Sequence, residues 1–272
     1  MNDSEYDMKI FNPDVLNVNI RMLKEYCRIN GLDFQTIKYN YDNREASDDY
    51  AFEMEVHKSE SIEKMAEYYS TTLLYLYELT LLESKRHYQK LYSSLAKFAK
   101  QRKVRRALDF GGGIGGLTIY LNSFGIKCDY VDVPGATWNY ARHRFQVKNI
   151  EAVQRSMEDL QKISEEYDLI ITLECLEHLS PLQNYISIFN KLLRRNTYFI
   201  CKSSFYGIGG HIASNHKYDS LPVFNEVMEK NNLLFTGQLV NRLNTDIVVP
   251  AWFLSLLGKN TTSGRSLLYT KQ

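Results

Sequence analysis

The sequence predicts an α/β fold in which a mixed sheet, residues 103–272, follows a helical cap, residues 1–102, and three observations predict it. Arg106–Leu121 reads as a short apolar run, a turn built from Gly111, Gly112, Gly113, Gly115 and Gly116, and a helix-period run: a strand–turn–helix unit whose turn must pass close to something. Apolar strand-like runs then alternate with helix-like ones as far as Ser203, the pattern of a parallel sheet. Ahead of this unit, apolar positions at helical spacing fill 59–82 and 84–102.

Asn12-Pro13 opens the first helix, with Asn12 as cap and Pro13 at the first helical position, where its missing N–H costs nothing. Val15, Val18, Ile20, Met22 and Leu23 follow, and Gly31 stops the helix. Residues 32–57 are polar, tyrosine-rich and without a steady period, which predicts a long loop, either a lid or a mobile surface segment. From Ser59, placed to cap, Ile62, Met65, Ala66, Tyr69, Leu73, Leu76 and Tyr77 recur at helical spacing, and Tyr88, Leu91, Tyr92, Leu95, Phe98 and Ala99 make a second such run. The tyrosines on these stripes read as packing rather than as a substrate box. The basic residues from Lys97 to Arg106 suit a helix C-terminus.

Asp109 stands two residues before the first glycine, so a carboxylate is offered at the carboxyl end of the first strand. Leu117–Ser123 continues as a helix that Gly125 ends, and Lys127–Val133 is a second strand. That strand ends in Asp132, 23 residues after Asp109. In βαβ nucleoside sites an acid in this position accepts hydrogen bonds from ribose hydroxyls. Pro134–Phe145 is a turn and helix, Ile150–Val153 a third strand followed by a loop, and Tyr167–Leu173 a fourth strand apolar enough for burial on both faces. Glu174, Glu177 and His178 come next at i, i+3 and i+4, which on a helix would place all three on one face at the ligand-binding edge of the sheet. After a fifth strand, Tyr198–Ser203, a glycine-punctuated loop carries His211 and His216, with His211 the candidate for binding an acceptor. Leu221–Asn231 reads as a helix, and Leu233–Val240 and Ser266–Thr270 as a closing antiparallel pair. The apolar stretch Val248–Leu257 would cover the pocket or form a contact in a homodimer.

Asp109, Gly111, Gly113 and Gly115 fit D-x-G-x-G-x-G, and this resembles motif I of the class I S-adenosylmethionine-dependent methyltransferases. Gly111, Gly113 and Gly116 also fit the dinucleotide pattern G-x-G-x-x-G. The resemblance covers 104–272 and implies a Rossmann-like, seven-stranded mixed sheet binding S-adenosyl-L-methionine. It implies that Asp109, Phe110, Gly111, Gly113 and Gly115 hold the amino-acid end of the cofactor, that Asp132 holds the ribose, and that Val133 and Pro134 flank the adenosine. Many members place an aspartate after the third strand to bind the adenine amino group; here Ser156 stands there, with the Met157 backbone N–H as a substitute. Glu174 is expected at the cofactor as well as at the acceptor.

The E-x-x-E-H run resembles motif IV of small-molecule methyltransferases, the ubiquinone-pathway O-methyltransferases among them, and also the small-RNA 2′-O-methyltransferases. Three readings of Glu174, Glu177 and His178 stay open. They form part of a divalent metal site, for Mg²⁺ or Mn²⁺, completed by His211 or His216; or His178 or His211 is a general base; or Glu174 and His178 line the methyl-transfer pocket. The implied activity is methyl transfer to a small molecule, with a phenolic or carboxylic oxygen as first acceptor and carbon or nitrogen next. Its setting is cofactor biosynthesis or specialised metabolism, since the Asp132–Gly135 turn resembles one in bacterial enzymes of that kind. An NAD-linked oxidoreductase would use the same glycines but leaves Asp109 and the Glu174–His178 cluster unexplained.

With 33 basic and 32 acidic residues the net charge is +1, which gives no broad attraction for nucleic acid and favours a small-molecule partner. Cys27, Cys128, Cys175 and Cys201 are scattered and read as reduced thiols of a cytoplasmic protein. Met1–Asp7 is acidic and lacks the order of a signal peptide. No stretch reaches the ~18 uninterrupted apolar residues that a membrane span requires.

Overall fold

A computed structural model of the chain describes residues 10–59, 61–205, 212–242, 245–251, 262 and 265–272. The strands β1 (Arg106–Phe110), β2 (Lys127–Asp132), β3 (Gln154–Ser156), β4 (Tyr167–Leu173), β5 (Leu193–Lys202), β6 (Leu233–Arg242), β7 (Thr245–Pro250) and β8 (Ser266–Lys271) form one sheet. Their order is β3-β2-β1-β4-β5-β8-β6-β7. The first five are parallel, and β8 enters antiparallel between β5 and β6. The expected count of seven is corrected to eight. Residues 245–250, rich in the β-branched types that favour extended chain, pair with β6 as an edge hairpin. Val248–Pro250 is therefore spent on that strand rather than on a cover, and 252–257 lie outside the described residues.

The third strand is also displaced from its expected position. The helix before it runs to Val147 and Asn149 turns the chain at φ 52°, so residues 150–153 are used in reaching the sheet. Ile150 and Ala152 pack against the Tyr130–Phe145 cluster, and pairing begins at Tyr130↔Gln154 and ends at Asp132↔Ser156.

The helices are α1 (Pro13–Ile29), α2 (Phe34–Asp42), α3 (Asp48–Ser59), α4 (Ile62–Thr71), α5 (Leu74–Ser84), α6 (Arg86–Gln101), α7 (Gly116–Ser123), α8 (Ala136–Val147), α9 (Leu182–Leu192) and α10 (Leu221–Lys230). Central strand β4 is fully buried at Leu169, Ile170 and Ile171, as a parallel strand covered on both faces must be. One face packs on α9 and α10 through Ile186, Phe189 and Phe224; the other packs on α6 and α7 through Leu95, Phe98, Leu117 and Leu121. Helix α6 thus belongs to the layer against the sheet, although its sequence lies within the predicted cap. The remaining cap helices close over the glycine turn, where Leu76 and Tyr77 of α5 meet Ile114 and Tyr140.

The loop predicted over 32–57 is instead α2, a 3₁₀ turn at Arg44–Ala46, and α3. Local caps make these helices. The Asp33 carboxylate accepts the Gln35 N–H at 3.0 Å, and the Ser47 hydroxyl accepts the Tyr50 N–H at 3.2 Å. Ile37 is the one buried residue of α2, so the segment carries no apolar period to read. The run from Ser59 is also two helices rather than one, because Thr72 is extended at φ −61°, ψ 135°. Ser59 ends α3, and Ser61 is the residue that caps α4, accepting the Lys64 N–H at 3.3 Å. The Asn12 side chain makes no capping bond; its carbonyl accepts the Leu16 N–H at 2.9 Å. No helix among the described residues is long and apolar enough to cross a membrane.

One contact fixes how closely the cap sits. A Cβ on Gly135, in the turn between β2 and α8, would stand 2.5 Å from the Ser70 carbonyl oxygen of α4, and backbone cannot swing aside. Gly135→Ala is expected to destabilise the protein by about 1–3 kcal/mol, as overpacking does. A urea midpoint equal to that of the wild type would show that the cap yields freely.

Candidate active site

A cavity of about 380 Å³ opens at the carboxyl ends of β1, β2 and β4 beneath the cap, within the size range of small-molecule sites, roughly 300–1,000 Å³. Its floor is the turn after β1. Gly111 and Gly113 take φ 71° and 53°, in the left-handed region that favours glycine. Each is also hemmed in by protein: a Cβ on Gly113 would lie 2.9 Å from Leu79 Cδ1, and one on Gly111 would strike Cys175. The Tyr130 hydroxyl donates to the Gly113 carbonyl at 2.6 Å and braces the turn.

Two carboxylates flank that floor. Asp132, at the end of β2, accepts the N–H groups of Gly113 at 2.5 Å and Val133 at 2.6 Å. Burial pushes its pKa up to about 6, against the pull of those two amides. Asp109 is 3% exposed and accepts both the backbone N–H of Thr118, at 3.1 Å, and its hydroxyl, at 2.8 Å. Burial raises its pKa to about 7; Thr118 opposes this, and the neighbouring charges of Asp132 and Glu83 add to it. Glu83, from α5, also lines the cavity and pairs with buried Arg144 of α8 at 2.9 Å.

The E-x-x-E-H run does not form the expected helical face. Glu174 has a left-handed backbone at φ 48°, and only Leu176–His178 make a turn, of 3₁₀ form. The three side chains therefore diverge. Glu174 pairs with Lys202 at the end of β5. Glu177, 1% exposed, turns away from the cavity, and its Oε1 accepts the Ser204 N–H at 3.1 Å. His178 lines the cavity, with Nδ1 3.0 Å from the hydroxyl of Tyr69 in α4. Among the described residues no three His, Cys, Asp or Glu side chains gather to hold a metal ion. His211 lies outside the described residues.

Of the other predicted cofactor residues, Val133 and Met157 line the cavity, and Phe110, Gly115 and Ser156 do not. The Phe110 side chain is in the core, edge-on to Phe189 at 4.7 Å. Gly115, at φ 78°, makes room for Phe145, which a Cβ would approach to 2.6 Å. The Ser156 hydroxyl caps the 3₁₀ turn at Met157–Lys162, accepting the Asp159 N–H at 3.2 Å and donating to the Asp159 carboxylate at 2.8 Å.

The roof was not foreseen. Tyr69, Tyr88 and Tyr92, read in the sequence as packing, all face the cavity, and so does Tyr75, which lies off the stripes read there. Their helical spacing is the same whether a stripe meets a core or a cavity, so spacing could not separate the two. Glu83 gave one usable signal, an acid within an apolar helical run.

The wall is apolar with a surplus of carboxylates: Glu83, Asp109, Asp132, Glu158 and Glu174 against His178, with Glu83 answered by Arg144 and Glu174 by Lys202 from behind the lining. Such a wall suits a ligand carrying positive charge, and Asp132 retains lone pairs for hydroxyl donors beyond its two amide bonds. S-adenosylmethionine, with a sulfonium, an ammonium and a ribose diol, has the matching groups.

A family model described as a methyltransferase domain matches residues 83–232. No curated protein matches the chain. Among solved structures, a candidate sarcosine dimethylglycine methyltransferase from Galdieria sulphuraria aligns with TM-score 0.51 at 12% identity, over 68% of this chain and 86% of that one. An S-adenosylmethionine-dependent methyltransferase from Clostridium acetobutylicum aligns with TM-score 0.50 at 12% identity, over 68% and 92%. At these identities the likeness is one of fold.

Proposed function

As the chain belongs to the S-adenosylmethionine-dependent methyltransferases, we propose that it methylates a hydroxyl oxygen on a small, flat phenol, with His178 as the general base. The observation that carries this reading is the imidazole on the cavity wall, held 3.0 Å from the Tyr69 hydroxyl. The bound cofactor supplies a methyl group on a sulfonium, which leaves without acid assistance. What remains for the chain is to hold both partners in line and take the acceptor's proton.

Asp132 would hold the ribose hydroxyls, Val133 and Met157 would flank the adenine, and Asp109 with Glu83 would face the ammonium. The tyrosine roof suits an aromatic ring. A carboxylate acceptor is disfavoured on two counts: it is ionised at neutral pH and leaves His178 idle, and it would meet a wall already rich in carboxylates. Those same carboxylates, with tyrosine faces above, favour a second reading, a small amine held partly by cation–π contact.

The test incubates the purified chain with S-adenosylmethionine and a panel of catechols, hydroxybenzoates and small amines, following S-adenosylhomocysteine release. On the phenol that turns over, His178→Gln is expected to lower kcat by roughly 10²–10⁴-fold, the usual worth of a general base, while S-adenosylhomocysteine affinity holds. Turnover of amines alone, or a His178→Gln enzyme as fast as the wild type, would sink the reading.

A further inference from the structure

Of the carboxylates on the cavity wall, Glu83 and Glu174 already have cationic partners, and Glu158 is exposed, where solvent screens it. Asp109 and Asp132 are different. Their hydrogen bonds come from neutral groups, Thr118 to the first and the Gly113 and Val133 N–H groups to the second. Among the described residues, no lysine or arginine lines the cavity. The ribose and ammonium roles use these two carboxylates as acceptors; their summed charge is left over.

We propose that Asp109 and Asp132 make the cavity selective for the charged cofactor over its spent form, so that methyl transfer itself loosens the product. It rests on the cofactor lying as proposed, with the ribose at Asp132 and the ammonium toward Asp109. In the cofactor the sulfur joins the ribose to the amino-acid chain, so that placement sets the sulfonium between the two carboxylates. In the transfer the methyl carbon leaves sulfur for the acceptor oxygen, sulfur keeps the bonding pair, and the acceptor's proton goes to the base. S-adenosylhomocysteine therefore carries one positive charge fewer, while its ammonium, carboxylate and ribose are unchanged.

Coulomb attraction falls only slowly with distance, so the sulfur need lie within reach of both carboxylates and in contact with neither. At the effective dielectric constant of such sites, a unit charge ~8 Å from a carboxylate is worth roughly tenfold to a hundredfold in Kd. Asp109 is only 3% exposed, so salt screens it little. Burial raises Asp109 to about 7 and Asp132 to about 6, and the charges of Asp132 and Glu83 raise Asp109 further, against the pull of Thr118. Carboxylates so placed gain from a cation between them and take protons back once its charge is gone. A cavity built in this way releases the spent cofactor readily.

The test compares S-adenosylmethionine with S-adenosylhomocysteine by calorimetry on the full chain, without an acceptor. The wild type is expected to bind the sulfonium form tighter by roughly tenfold to a hundredfold. Asp109→Asn and Asp132→Asn weaken both ligands, and each should also shrink the ratio between them by roughly threefold to tenfold. Taking the ratio cancels what either variant does to the fold, the ribose or the ammonium. Glu151→Gln, which removes an exposed acid outside this cavity, should leave the ratio as it is. Wild-type affinities equal to within about threefold overturn the proposal and leave the methyltransferase standing. A ratio that survives in both asparagine variants overturns it in favour of contacts to the methyl group. Wild-type protein that binds neither ligand removes the reading beneath it as well.

Discussion

Asp132→Ala is expected to weaken S-adenosylhomocysteine binding by roughly a hundredfold or more, because in the proposed site two ribose hydroxyls each lose a bond to a charged acceptor worth about 1.5–3 kcal/mol. The carboxylate already holds the N–H groups of Gly113 and Val133, and its remaining lone pairs face the cavity. The same group sets a pH dependence. Its folded pKa of about 6, and that of Asp109 at about 7, stand above the ordinary carboxylate value near 4. These two groups therefore stabilise the free protein below about pH 4, and that contribution is lost as pH rises through about 6 to 7. A ligand that brings an ammonium and hydroxyl donors favours the ionised carboxylates, so binding expels protons. Affinity should rise by up to about tenfold per pH unit for each proton released, between about pH 5 and 7. Calorimetry in buffers of different ionisation enthalpy counts those protons. A loss of less than about threefold in Asp132→Ala, under 1 kcal/mol, would remove the ribose role.

The parts of this site that were legible in the sequence are those fixed by local chemistry. Asp109 and Asp132 were readable because a strand end followed by glycine leaves little freedom in where a carboxylate stands. The Glu174–His178 run was misread because its geometry assumed a helix. The left-handed backbone at Glu174 and its pairing with Lys202 are set by β5, which lies next to β4 in the sheet but some twenty residues on in the chain. The glycines were read as clearance for a ligand alone, yet Gly115 and Gly116 chiefly clear Phe145 and Glu83. The tyrosine roof could not be read at all, since which face of α4 and α5 meets a cavity is decided by how the cap docks, and which part of α6 does so by how that helix lies on the sheet.

A buried pair adds to that docking, and the largest stability effect is expected there. Glu83 and Arg144 have side chains 9% and 5% exposed and meet at 2.9 Å; Arg144 also donates to the Ile114 carbonyl in the glycine turn at 2.6 Å. Glu83→Ala leaves the guanidinium buried with its charge unanswered, a loss of about 3–5 kcal/mol by the usual cost of breaking a buried pair from one side. The whole chain should show it in its urea midpoint with an unchanged slope. Adding Arg144→Met to Glu83→Ala removes the orphaned charge and should recover most of the stability, because a buried pair replaced by apolar groups is close to neutral. Cofactor affinity should follow a different course. Glu83 lines the cavity beside Asp109, so the double variant regains its fold yet still lacks one of the carboxylates proposed to face the ammonium. Stability restored together with full S-adenosylhomocysteine affinity would confine Glu83 to holding the cap; stability restored without it assigns the residue to both tasks.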